Sequence, residues 1–107
     1  MREFIKTMLD QVDYYISAIR TKGEHITHVR VHKALPDKSF APHGIIQPRS
    51  TVIVNLRNSR IYKTLVLDGH RARPGQPVQL VEHGNRFYLR TVPTNAPADD
   101  LGDMPGF

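Results

Sequence analysis

The 107-residue chain has no cysteine. That excludes a disulfide framework, a thiolate-ligated zinc and a thiol nucleophile. It also has no run approaching the roughly 18 consecutive apolar residues that read as a membrane-spanning helix, so no membrane partner is expected. The opening MREFIK is charged, and no apolar stretch with a small-residue cleavage site follows it. No secretory leader is therefore expected, and a cytoplasmic protein is. The short motifs of nucleotide and acyl chemistry are missing too. There is no G-x-x-x-x-G-K loop, no G-x-G-x-x-G turn and no G-x-S-x-G elbow. Without a nucleophile, base and orienting group legible in the sequence, neither catalysis nor a cofactor is expected.

Acidic residues are scarce in the middle of the chain. Between residues 14 and 92 only Glu24, Asp37, Asp68 and Glu82 oppose 13 Lys and Arg, a net +9. All six histidines lie in the same stretch. Residues 1–13 and 93–107 are mildly acidic, which reduces the whole chain to +5. A basic body between acidic ends attracts polyanions or acidic proteins, and says nothing of fold.

Residues 1–13 place Phe4, Ile5, Met8, Leu9 and Val12 on one stripe of a helix. So short a helix is marginal alone and must dock on something. From Tyr14 the period changes to two. YYISAIR (14–20), a turn at Gly23 and HITHVRVHK (25–33) predict a hairpin. Residues 36–50, with Pro36, Pro42, Gly44 and Pro48, predict a long loop. TVIVNLR (51–57) is rich in β-branched residues and predicts a strand, with Asn58-Ser59 turning into a second over 60–67. DGHRARPGQP (68–77) predicts a loop. PVQLVEH (77–83), the Gly84-Asn85 turn and RFYLRTV (86–92) predict the clearest hairpin. The expected fold is mainly β: a small antiparallel barrel or bent sheet of five to six strands. An N-terminal amphipathic helix precedes it, and an extended acidic strap, 93–107, closes it with Leu101, Met104 and Phe107 as anchors. All of this forms a single domain.

The sequence Tyr88-Leu89-Arg90-Thr91, followed by Asp100-Leu101-Gly102-Asp103-Met104-Pro105-Gly106-Phe107, resembles the ending of a family of short bacterial and phage proteins, the domain of unknown function 3892. Tyr15-Ile16-Ser17-Ala18-Ile19-Arg20 resembles that family's early strand. The resemblance runs in order over about residues 14–107, with its specific part in the last twenty. Met104 stands where the family pattern favours Leu, and the N-terminal helix looks like an addition. The resemblance implies an approximate shape and no mechanism.

Alternating bases and rings give the main functional signal. Arg86, Tyr88 and Arg90 share one face of their predicted strand, Arg60 and Tyr62 share another, and His28, Arg30 and His32 a third. His70, Arg71 and Arg73 form a basic loop. If these faces adjoin, cations meet phosphates and rings stack on unpaired bases. The expected function is a non-catalytic module binding nucleic acid through Arg30, Arg60, Tyr62, His70, Arg71, Arg73, Arg86, Tyr88 and Arg90. The plainer reading is a solvated strand face whose long side chains cover apolar neighbours. No RNP-like run, GXXG loop or helix-turn-helix pattern is present, so contacts should be to phosphate and fall with salt. The alternative is a protein-interaction module of phage or mobile-element type. It would dock by a sheet edge or by the stripe Phe4, Ile5, Met8, Leu9 and Val12, which could also join two copies as a homodimer. His25, His28 and His32 have ligand-like spacing for a helix, but the alternation around them favours a strand. No cysteine supports a zinc site, so no metal is expected.

Overall fold

The protein, described by a computed structural model, is defined over residues 11–37, 39–69, 71–92 and 96–107. The predicted helix over 1–13 and its residues Phe4, Ile5, Met8 and Leu9 lie outside these, apart from Val12, which is half-buried just before the first strand. The elements in order are β1 (Tyr14–Lys22), β2 (His25–Lys33), β3 (Ile45–Pro48), α1 (Arg49–Arg57), β4 (Tyr62–Asp68), β5 (Arg71–Pro77), β6 (Gln79–His83) and β7 (Arg86–Arg90).

Five strands form one open sheet in the order β3-β2-β1-β4-β5, and β6 and β7 form a separate hairpin. The β1–β2 hairpin is antiparallel and turns at Gly23, whose φ of 64° only glycine adopts without cost. β1 and β4 run parallel, with Ile16 opposite Thr64. Of the two expected forms, an antiparallel barrel or a bent sheet of five to six strands, the barrel is corrected: the described residues form seven strands, and the β1–β4 pair is parallel. The sheet does not close, and β3 and β5 remain as its two edges.

One element has the wrong type in the sequence reading. Thr51–Arg57 belongs to helix α1 and not to a strand. Its β-branched residues favour strands only weakly, and tertiary packing overrides such a preference. Val52 is fully buried, and Ile53 and Leu56 pack on the same core. Positions 52, 53 and 56 are the i, i+1, i+4 pattern of one helical stripe. The helix stops at Asn58, whose N–H donates to the Val54 carbonyl, and at Ser59, which adopts a φ of 66°.

Two strands, β3 and β5, occupy segments expected to be loops. Both are edges, where proline is tolerated because its missing N–H would face outward. Pro48 ends β3, and Pro74 and Pro77 lie in β5.

The core forms on one face of the five-stranded sheet. Ile16 of β1 and Val29 and Val31 of β2 pack there with Val52, Tyr62, Val78, Leu89 and Leu101. A fully buried side chain of this size contributes about 1.5–3 kcal/mol. Helix α1 and the β6–β7 hairpin cover this face. Residues 96–107 form no strand, but Asp100 bridges to Arg90 and Gly106 to Ile19.

Candidate functional site

The other face of the same sheet is open, and a β-bulge shapes it. In the β1–β2 register Ile16 pairs with Val31 and Ala18 with Arg30, leaving Ser17 as the extra residue. Strict alternation would send Ala18 to the core side. The bulge turns both Ser17 and Ala18 to the open side, where bulges commonly re-aim side chains. Beside them stand Arg30 and His32 of β2, Leu65 and Leu67 of β4 and Ala72 of β5. With Phe40, Pro42 and Gly44 from the β2–β3 connection and Pro105 and Gly106, they enclose an open depression of about 370 Å³.

Two guanidinium groups converge at its border. Arg20 Cζ lies 4.6 Å and Arg30 Cζ 4.8 Å from the centre of the Phe107 ring. Each such contact is worth about 0.5–1 kcal/mol at an exposed site. Arg20 Nε also donates to the Phe107 main-chain oxygen at 3.4 Å. The Arg30 stem crosses directly over Gly44, where a Cβ would stand 2.5 Å from Arg30 Cγ. Arg30 is thus held between a ring and a glycine. Among the described residues neither Arg20 nor Arg30 has an Asp or Glu side chain within ion-pair distance. The three ion pairs found use Arg49, Arg60 and Arg90.

His32 is buried at the wall of the depression. Its Nδ1 lies 2.8 Å from the Ala41 carbonyl oxygen and its Nε2 2.9 Å from Ser17 Oγ. The Phe40 ring meets the imidazole edge-on at 5.7 Å.

The nine residues nominated from the sequence do not form one face. Tyr62 is fully buried in the core. It stacks on Tyr14 at 5.0 Å, and its hydroxyl donates to Gln47 Oε1 while accepting from Asn55 Nδ2. Burial pushes its phenol above the ordinary range. Tyr88 is 7 % exposed and lies beneath Arg49. Arg90 is equally buried, donating to the Ala98 and Val92 carbonyls and pairing with Asp100 at 3.8 Å. These rings have no free faces for bases. The alternation that suggested them reflects burial of both sides of β4 and β7. Arg60 is exposed, 4.0 Å from Asp13. Arg71 and Arg73 are exposed on β5, but they alternate with Ala72, which lines the depression, and so point to the opposite side. Arg86 is exposed on β7, a strand of the separate hairpin. His70 lies outside the described residues. Among the described members of the set, Arg30 alone borders the depression. Of the three spaced histidines, His25 is exposed, His28 contacts the Thr27 hydroxyl and His32 is committed to Ser17 and Ala41.

The sequence reading missed Ser17, Arg20 and Asp99. Nothing local marks Ser17, because the bulge that aims it depends on the pairing partner. Asp99, expected only as part of the acidic strap, has a fully buried carboxylate. It accepts from Ile26 N, Leu89 N and both Nε and Nη2 of Arg49, at 2.7–3.2 Å. No family model, no curated protein and no solved structure matches this chain.

Proposed function

We propose that the protein is a nucleic-acid-binding module that takes phosphates at the Arg20–Arg30 border of the open sheet face. One observation carries this reading. Two guanidinium groups are held on one ring with no Asp or Glu partner among the described residues. An arginine stacked by its flat face keeps in-plane N–H groups for phosphate oxygens. The net +9 of residues 14–92 adds long-range attraction. Since Tyr62 and Tyr88 are buried, base stacking contributes little and phosphate contact dominates. Fluorescence anisotropy with a labelled single strand tests it. Binding should appear at low salt and weaken log-linearly as salt rises, with a slope of about 0.7 per phosphate neutralised. No anisotropy change at low ionic strength would remove the reading.

A second observation favours protein interaction. The edge strand β3 exposes Ile45 and Ile46, at 60 % and 51 %, beside a row of unpaired main-chain groups of the kind that templates another strand. On this reading Ile46→Lys abolishes association seen by light scattering and leaves nucleic-acid binding intact. If wild type stays monomeric and captures no partner, this second reading falls.

A further inference from the structure

The polyanion reading leaves unused one pair of groups at the depression, Ser17 and His32. The Ala41 carbonyl carries no proton, so His32 Nδ1 must donate to it. In the neutral ring Nε2 is then the bare nitrogen, and at 2.9 Å it accepts the Ser17 hydroxyl hydrogen. A hydroxyl is thus hydrogen-bonded to a base whose far side is oriented by a third group, the arrangement that activates a serine. Both side chains are buried, at 8 % exposure, yet both form the wall of a depression open to solvent. Its floor is apolar, with Ala18, Leu65 and Ala72, and Arg30 provides the only fixed charge among its lining residues.

We propose that Ser17 is a nucleophile, activated by His32, that reacts with small esters bearing an apolar acyl group. In this step Ser17 Oγ bonds to the ester carbonyl carbon, and the hydroxyl proton passes to His32 Nε2. The carbon–oxygen bond to the leaving group breaks, and the departing alkoxide takes the proton from His32. Water then reverses the sequence and releases the acid. The apolar floor receives the acyl chain, and the Arg30 guanidinium favours negative charge developing nearby. This inference does not depend on nucleic-acid binding and needs no polyanion in its test.

The probe is diisopropyl fluorophosphate on the intact wild-type chain, followed by mass mapping. Oγ bonds to phosphorus, fluoride leaves and the proton goes to His32. Ser50 and Ser59, both exposed, serve as references within the same molecule. The expected result is one adduct, on Ser17, formed at least about 100-fold faster than on either reference, the lower end of what a positioned base supplies. Ser17→Ala removes it, and His32→Gln lowers the Ser17 rate to the reference level. Labelling of Ser17 no faster than of Ser50 and Ser59 overturns the proposal, as does an unchanged rate in a folded His32→Gln. If circular dichroism shows that variant unfolded, the wild-type ratio decides alone.

Discussion

The two faces of the five-stranded sheet come from the same strands and differ in how their polar groups are used. On the covered face every polar group of note is spent on structure. Asp99 ties Ile26, Arg49 and Leu89 together, and the Tyr62 hydroxyl links Gln47 to Asn55. On the open face Arg20 and Arg30 hold a ring but, among the described residues, no Asp or Glu, and Ser17 meets His32 at the edge of a depression. A polar group enclosed by partners stabilises, whereas one oriented toward solvent is available for a ligand. Substitutions on the covered face should therefore cost stability, and those on the open face should cost binding.

The largest effect is expected at Asp99. Asp99→Ala strips two main-chain N–H groups and Arg49 of their acceptor. It should destabilise by about 3–5 kcal/mol in urea unfolding, the cost of breaking a buried pair from one side. A change under about 1 kcal/mol would mean that residues 96–107 are not anchored through this carboxylate. Leu89→Ala comes next, at about 2–5 kcal/mol for a buried leucine that leaves a cavity. Neither change should alter Arg20 or Arg30 except through unfolding.

Tyr62 makes the covered face sensitive to alkaline pH. Burial raises its phenol above the ordinary tyrosine value of about 10. A group whose folded pKa is raised contributes in full below its unfolded pKa, and that contribution is lost as pH rises through the folded value. Stability should therefore hold to about pH 10 and decline above it. Tyr62→Phe should flatten that alkaline decline, while losing about 1 kcal/mol at neutral pH with its hydrogen bonds. Equal alkaline declines in the two proteins would place the responsible group elsewhere. The smallest stability effect is expected on the open face. Arg20→Ala and Arg30→Ala should each fall within about 1 kcal/mol, the range of a single exposed cation–π contact.

The covered face was the more legible in sequence. The β1–β2 hairpin follows from alternation and a glycine turn, and the β6–β7 hairpin from Gly84-Asn85. The α1 segment was misread because its β-branched residues outweighed the spacing of Val52, Ile53 and Leu56. β3 and β5 were hidden because edge strands tolerate the prolines that otherwise mark loops. The open face was hardest. Arg20 and Phe107 are 87 positions apart, and Ser17 is aimed by a bulge. Asp99 was the exception on the covered face, because its donors come from three separate elements. Tyr62, Tyr88 and Arg90 were misplaced for a related reason. Alternation identifies two sides of a strand, but not whether the second side is also covered. A residue's partner across the fold decides each of these features, and a local pattern does not contain it.

Salt-dependent anisotropy of a labelled single strand, with two double variants of equal charge, decides whether the open face is the binding face. One replaces Arg20 and Arg30 by alanine, and the other Arg71 and Arg73, which point to the opposite side. The first pair should bind at least about tenfold more weakly with a shallower salt slope, and the second should lose several-fold less. Equal losses in the two, or a larger loss at Arg71 and Arg73, would contradict it.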